Sequence, residues 1–250
     1  MNYSKEQILE MMSDNSYPLT LKYNPDWILE NAMGSHCLWL QESLTQNMKL
    51  TPGMRVLDLG CGKAIGSIFL AKEFESQVWA ADLRITPSEN WKRICDMNCE
   101  DKVFPIKADA DDLPFADDFF DAMVSINSLF FYATGDGFLR EHIFKHIKPG
   151  GEIGIVVPSF QHEYTNGLPE KYLPYMGYGI DKYHACAWWE THFLKSNMVE
   201  IVLCDTFPTD NNGNELYRKS ACIFNAHEEP FNILAWDDIT FTRIIARRKP

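Results

Sequence analysis

The spacing of apolar residues changes near residue 51. Before that point apolar side chains recur at helical spacing, which predicts three helices. The first follows Ser4, which forms a capping-box pattern with Gln7; the second begins at Pro25; and the third runs from Ser35 through Leu44. Residues 1–50 therefore predict a helical extension that precedes the main fold.

Short apolar runs alternate with helical segments from residue 51 to residue 157. The predicted strands are Arg55–Leu59, Val78–Asp82, Val103–Ala108, Phe120–Ile126 and Glu152–Val157. The predicted helices between them cover 68–74, 88–96 and 137–147. This alternation favours βαβ units, a parallel sheet and right-handed crossovers. We expect a doubly wound α/β fold.

The end of the chain predicts an antiparallel edge on that sheet. Two further strands are expected at Val199–Asp205 and Ile239–Ala246, with helices near 188–197 and 215–224. No internal repeat or linker divides the sequence, so one domain over 1–250 is expected. Its parts would be the extension (1–50), the core (51–157), an insertion (158–190) and the C-terminal elements (191–250).

The insertion at residues 158–190 is longer than an ordinary connection and rich in aromatic residues. Its candidate ligand-contacting rings are Tyr172, Tyr175, Tyr178, Tyr183, Trp188 and Trp189. They would either grip a flat apolar substrate or a cationic amine, or pack the loop onto the edge of the sheet. The sequence leaves both interpretations open.

Composition and charge narrow the class of protein. With 46% apolar residues in 250, the chain can bury a full core, and its formal charge of −12 disfavours nucleic acid as a partner. The seven cysteines are scattered and lack a CxxC pair, so we expect reduced thiols and no metal site. Because the chain has no long apolar run and no basic leader, we expect a cytoplasmic protein with no stable membrane insertion. We also expect a monomer or homodimer.

A glycine turn follows the first predicted strand and carries the candidate chemistry. Ligands of doubly wound sheets bind at the carboxyl ends of the strands, where this turn would lie. A dinucleotide fingerprint that starts at Gly60 would require glycine where Ile65 stands. Asp58 would repel a pyrophosphate and attract the cationic amino-acid portion of S-adenosylmethionine (SAM). Asp82 lies 22 residues after Gly60, near the position of a ribose-binding carboxylate.

Four segments together resemble class I SAM-dependent methyltransferases of the type 11 subgroup. They are Val56–Gly62, Val78–Asp82, Ala108–Phe115 and Leu139–Gly151. The resemblance implies a Rossmann-like, seven-stranded mixed sheet of order 3-2-1-4-5-7-6. The N-terminal segment is also similar to a bacterial subgroup often placed with cyclopropane fatty acid synthases, a grouping that says little about substrate.

The resemblance also implies residues that would contact SAM. They are Asp58, Gly60 and Gly62 at the methionine moiety, Asp82 at the ribose, Asp109 and Ala110 at the adenine, Ser125 beside the sulfonium, and Leu83, for which no particular moiety is implied. In this sequence Ala64 replaces the family's common third glycine. We expect binding to survive the added methyl group.

Methyl transfer from a sulfonium requires in-line positioning and exclusion of water rather than a nucleophilic side chain. A hydroxyl or protonated amine acceptor needs a base, and the candidates are His36, Tyr183 and His184. Asn127 would orient the acceptor. We therefore expect a small-molecule methyltransferase that releases S-adenosylhomocysteine. The alternatives are a non-catalytic SAM-binding regulator and a nucleotide-dependent oxidoreductase.

Overall fold

The computed structural model describes residues 4–33, 36–207 and 238–250. Its centre is a seven-stranded sheet of order β3-β2-β1-β4-β5-β7-β6, which confirms the predicted order. The strands are β1 (Arg55–Leu59), β2 (Gln77–Asp82), β3 (Val103–Lys107), β4 (Phe120–Ile126), β5 (Ile147–Phe160), β6 (Val199–Thr206) and β7 (Ile239–Arg248).

Strands β1 to β5 pair in parallel, and β7 pairs antiparallel with both β5 and β6. The last two strands therefore form the predicted antiparallel edge, in which β7 is the strand antiparallel to the other six. Strand β5 is longer than the predicted 152–157 at both ends, because Ile147 pairs with Phe120 of β4 and Phe160 pairs with Ile239 of β7.

The helices lie on both faces of the sheet. They are α1 (Lys5–Met12), α2 (Pro25–Asn31), α3 (Cys37–Thr45), α4 (Ile65–Phe74), α5 (Pro87–Asp96) and α6 (Cys186–Lys195). The capping box predicted at Ser4 is present, with its hydroxyl accepting from the Gln7 amide. The helix predicted at 215–224 lies outside the described residues.

The helix predicted at 137–147 has a different form. The structure has a π-helical turn at Leu139–Ile143 followed by a 3₁₀ turn at Phe144–His146. These wider and tighter turns allow Leu139, Ile143 and Phe144 all to be buried in one core cluster.

Two hydrophobic clusters cover the two faces of the sheet. Consecutive strand residues alternate between them, as Val56 and Leu57 do on β1. The N-terminal extension packs directly on one face: a Cβ at Gly154 of β5 would lie 2.4 Å from the Met48 sulfur. This close approach requires glycine at 154 and fixes α3 over the middle of the sheet.

The described rings of the insertion pack against the protein itself. Tyr172 and Trp189 are fully buried, and the hydroxyls of Tyr164 and Tyr172 donate to Asp238 at 3.0 and 3.1 Å. These contacts support the packing interpretation. The side chains of Tyr175 and Tyr178 lie outside what the structure describes. Over the described ranges, no helix combines the length and apolar character needed to cross a bilayer.

Candidate functional site

A cavity of about 700 Å³ lies at the carboxyl ends of β1, β2 and β4. The sheet contributes the strand ends and the loops that follow them, and the N-terminal extension covers the cavity with Asn31, Met33, Cys37 and Gln41. The side chains of Met33, Leu83 and Phe131 line it while remaining about half exposed. The cavity therefore combines a polar floor with an apolar rim.

The glycine turn brings the backbone to the floor of this cavity. Gly60 has φ +74° and donates its amide to the Ala81 carbonyl at 2.8 Å. A Cβ at Gly60 would lie 1.8 Å from the Ser128 hydroxyl oxygen. Gly62, also at positive φ, lies on the same turn and lines the cavity. Position 60 thus requires glycine both for its backbone conformation and for space.

Ala64, which replaces the family's common third glycine, occupies the position before α4. It has φ 60° and is fully buried. A left-handed alanine costs roughly 1–2 kcal/mol. The chain therefore accommodates the methyl group at a cost in backbone strain.

Asp82 braces the turn as well as facing the cavity. One of its carboxylate oxygens accepts from the Gly62 amide at 2.8 Å, and the other accepts from the amides of Arg84 and Ile85 at 2.7 and 2.9 Å. The same side chain thereby fixes the glycine turn and the loop after β2. Sequence reasoning assigned it a ligand-binding role and missed this bracing.

Asp58 is a buried carboxyl group at the floor. Burial raises its pKa to about 7, while a hydrogen bond from the Ser67 hydroxyl at 2.5 Å acts in the opposite direction. A substantial fraction of Asp58 is therefore protonated at neutral pH. A cation placed beside it would favour the ionised form.

Gln41 of α3 is the polar residue that sequence reasoning missed. It is fully buried and lines the cavity, and within the described residues neither polar atom of its amide has a hydrogen-bond partner. A Cβ at Gly66 would lie 3.1 Å from the Gln41 oxygen and 3.5 Å from the nearer Asp58 oxygen, so the two side chains flank one point of α4. The available signal was an amide directly after the apolar run Leu38–Leu40.

The loop after β4 supplies the other polar groups of the cavity. Asn127 has φ 54°, and its buried side-chain oxygen lacks a hydrogen-bond partner in the described ranges. The Tyr132 hydroxyl accepts from Ser128 at 3.2 Å, and burial raises the pKa of Tyr132 to about 12. Tyr132 therefore faces the cavity as a neutral phenol at physiological pH.

The structure brings most of the predicted SAM-contacting residues to this one cavity. Those lining it are Asp58, Gly60, Gly62, Asp82, Leu83, Asp109 and Ala110, together with Asn127 from the predicted catalytic set. Ser125 is fully buried in β4 and does not line it. Asp109 is exposed at the cavity edge, whereas Ala110 is buried.

The three predicted bases lie elsewhere. His36 is fully buried at the N-cap of α3, where its Nδ1 accepts from the Trp39 amide, and burial lowers its pKa to about 3. Tyr183 and His184 line a separate cavity of about 240 Å³. There His184 Nδ1 lies 2.7 Å from a Glu163 oxygen, and its ring stacks on Trp188. None of the three lines the large cavity.

The lining of the cavity is suited to a mixed polar and apolar molecule. Across the ranges that the structure covers, no cluster of three or more His, Cys, Asp or Glu side chains has the arrangement needed to hold an ion. The polar groups available are the Asp58 and Asp82 carboxyls and the amides of Gln41 and Asn127. They suit a ligand that carries a cation and several hydrogen-bonding groups.

Comparison with known proteins finds a family model that matches part of the chain and solved structures that share its fold. Residues 56–151 match the family model described as a methyltransferase domain. Methyltransferase GfsG of Streptomyces halstedii is 32% identical over 117 residues, which are 46% of this chain and 42% of the relative. The chain spans about two fifths of the length of the first curated relatives it matches.

Two solved structures share the fold at 18% identity. Geranyl diphosphate C-methyltransferase from Streptomyces coelicolor A3(2) aligns with TM-score 0.67 over 84% of this chain and 78% of its own. The cyclase SpnF aligns with the same TM-score over 84% of this chain and 81% of its own. One architecture thus occurs in a methyltransferase and in a protein named for a different reaction.

Proposed function

We propose that this chain, whose residues 56–151 match a methyltransferase domain model, is a class I SAM-dependent methyltransferase that transfers a methyl group from SAM to a small-molecule acceptor. The observation that carries the proposal is the composition of one cavity. The buried Asp58 carboxyl and the Gln41 amide, which has no hydrogen-bond partner among the described residues, flank its floor, and Asp82 lies at the end of the adjacent strand.

The residues present fit SAM at its amino-acid end. Asp58 would receive the ammonium group, and the Gln41 amide would pair with the same end of the molecule, since it has both a donor and an acceptor. The left-handed backbone at Gly60 lets the main chain approach the ligand without a Cβ. The buried amide of Gln41, which lacks a partner among the described residues, would gain one there.

The ribose and adenine ends would contact the rest of the cavity. Asp82 would accept hydrogen bonds from the ribose hydroxyls while it braces the turn. Leu83 and Ala110 would flank the adenine, with Asp109 at its edge; all three line the cavity. When bound, SAM supplies an activated methyl group, and the protein's part is to orient the acceptor and exclude water.

The acceptor would lie against Met33 and Phe131 of the apolar rim and against Cys37, which also lines the cavity. The Asn127 amide would hydrogen-bond the acceptor, since its oxygen is buried without a partner in the described ranges. An apolar small molecule fits this rim better than a strongly charged one. Among the matched relatives, the name of one specifies a fatty acid and the names of others specify sterols.

We infer a cytoplasmic monomer or homodimer that, with a net charge of −12, does not act on nucleic acid.

A second candidate function is a SAM-binding protein that does not transfer methyl groups. It is favoured by two observations: the cyclase SpnF shares the fold, and His36, Tyr183 and His184 all lie away from the large cavity. An acceptor that reaches the cavity already deprotonated, such as a thiolate, would reconcile these positions with methyl transfer.

Thermal unfolding of ligand-stripped protein tests cofactor binding. A ligand at 100 times its dissociation constant adds about 2.7 kcal/mol, which is readily measured as a rise in Tm. We expect SAM and S-adenosylhomocysteine to raise Tm and NADH and NADPH to leave it unchanged. Asp82→Asn should abolish the rise, whereas Asp111→Asn, an exposed position outside the cavity, should keep it.

Turnover is tested separately by release of S-adenosylhomocysteine with panels of alcohol, thiol, amine and alkene acceptors. Release with any acceptor, lost in Asn127→Ala, supports methyl transfer. Stabilisation by NADH alone, or by none of the four ligands, contradicts the proposal. Tight SAM binding with no turnover across the panel favours the second candidate.

A further inference from the structure

Two cysteines lie in contact away from both cavities. Cys186 is the first residue of α6, and Cys204 lies on β6. Their sulfur atoms are 3.0 Å apart, and both side chains are half-buried. Neither residue lines the large or the small cavity. The contact therefore has no part in the proposed cofactor site.

The spacing of the sulfurs is suited to a covalent bond. A disulfide has a sulfur–sulfur distance of about 2.05 Å, so the two atoms need to approach by roughly 1 Å. The residues are 18 apart in sequence and belong to consecutive elements, α6 and β6, that pack together. Small side-chain rotations would close the gap without moving the sheet.

The surroundings of Cys186 favour the reactive thiolate. A hydrogen bond from the Cys204 thiol lowers the pKa of Cys186, acting against burial and the negative charges of Asp205 and Glu190. A position in the first turn of a helix also lowers a thiol pKa in general. Because both side chains are half-buried, small oxidants can reach them.

We propose that Cys186 and Cys204 are a redox-active dithiol that a peroxide converts to a reversible disulfide. The Cys186 thiolate attacks the peroxide oxygen and becomes a sulfenic acid as the O–O bond breaks. The Cys204 sulfur then attacks the Cys186 sulfur, and the sulfenic hydroxyl leaves as water. With hydrogen peroxide, the two thiols lose two electrons and two protons, and two water molecules form.

The bond would join the end of the insertion to the sheet. Cys186 follows directly on the segment that carries Tyr183 and His184, and β6 is an edge strand. Oxidation would therefore restrain the beginning of α6 against the edge of the sheet. A thiol such as glutathione or dithiothreitol would reverse it.

Peptide mapping of the whole protein tests the proposal. Reduced protein is treated with a small excess of hydrogen peroxide, the remaining thiols are alkylated, and the protein is digested with trypsin. Cleavage after Lys182, Lys195 and Arg218 yields peptides 183–195 and 196–218, each with one cysteine. We expect the two peptides to appear linked, with a mass lower by two hydrogens than their sum, and to separate on reduction.

Two variants control for general oxidation. Cys186→Ser should remove the linked species, whereas Cys95→Ser, which removes another half-buried thiol, should leave it unchanged. The proposal is overturned when peroxide converts these cysteines to separate sulfinic or sulfonic acids, or when both remain open to alkylation. Because the wild-type map alone decides between these results, failure of a variant to fold leaves the test intact. SAM-induced stabilisation is measured in parallel and is expected to survive oxidation, so failure of the proposed function is seen separately.

Discussion

Replacing Gly60 by alanine tests how the glycine turn and the loop after β4 fit together. Both Gly60 and Gly53 have positive φ, at +74° and +79°, so alanine is strained at either position. They differ in space, because a Cβ at Gly53 meets nothing within 4 Å, whereas a Cβ at Gly60 would lie 1.8 Å from the Ser128 hydroxyl oxygen and 2.3 Å from its Cβ. Gly53→Ala is therefore a matched control for backbone strain.

The two substitutions should differ by the cost of the clash. A left-handed alanine costs roughly 1–2 kcal/mol, partly offset by about 0.4–1 kcal/mol from the lower entropy of the unfolded chain. We expect Gly53→Ala to destabilise the protein by about 1 kcal/mol or less. Gly60→Ala must also displace Ser128, and overpacking of this kind costs about 1–3 kcal/mol more. The displacement would break the hydrogen bond from Ser128 to Tyr132.

Urea unfolding of both variants, of Ser128→Gly alone and of the double mutant measures these terms. Ser128→Gly removes the clashing atoms, so Gly60→Ala/Ser128→Gly should recover most of the extra loss, with a coupling energy of about 1–3 kcal/mol. SAM-induced stabilisation should fall in Gly60→Ala and remain in Gly53→Ala. Equal stability of the two alanine variants, or no recovery in the double mutant, would refute the argument that close approach of Ser128 requires glycine at 60.

Three further predictions concern the floor of the cavity. Burial raises the pKa of Asp58 to about 7. Between about pH 4 and 7 the folded protein therefore holds a proton on Asp58 that the unfolded chain releases. The contribution of Asp58 to the free energy of unfolding thus falls as pH rises, by up to about 1.4 kcal/mol per pH unit. Urea unfolding at pH 5 to 8 should show that slope as the difference between wild type and Asp58→Asn; identical profiles would contradict it. SAM affinity, measured by calorimetry, should rise with pH through about 7 in wild type and lose that dependence in Asp58→Asn. Gln41→Leu removes two buried amide atoms that have no partner among the described residues. The ligand-free protein should therefore be stabilised by about 1–3 kcal/mol, while the stabilisation by SAM should become smaller. A variant that is less stable and still binds SAM normally would argue against the role assigned to Gln41.

Local patterns in the sequence were sufficient for the strands and for the positions of Asp58, Gly60 and Asp82. The alternation of strands and helices depends on residues within about ten positions of one another, and the order of the strands came from the family resemblance. Asp58, Gly60 and Asp82 could be placed because each ends a strand or lies in the turn that follows it, and parallel strands bring these ends to one edge.

The direction in which loop side chains face was not predictable in the same way. His36 and His184 were placed near the sheet edge by sequence, but one caps α3 beside Trp39 and the other pairs with Glu163 at a separate cavity. The residue types are compatible with catalysis in either place. The neighbours of a histidine side chain depend on how segments that are distant in the sequence pack together.

The sequence by itself determined the elements, the glycine turn and the carboxylates at the ends of the first two strands, because these depend on local periodicity and on the conformations that glycine permits. Only the tertiary structure decided that Ser128 lies against Gly60, that the Gln41 amide lies beside Asp58, and that Cys186 contacts Cys204. Each of these pairs joins different elements, separated by between 17 and 68 residues. Their contacts follow from how helices and loops pack on the sheet, which depends on the close fit of many side chains at once.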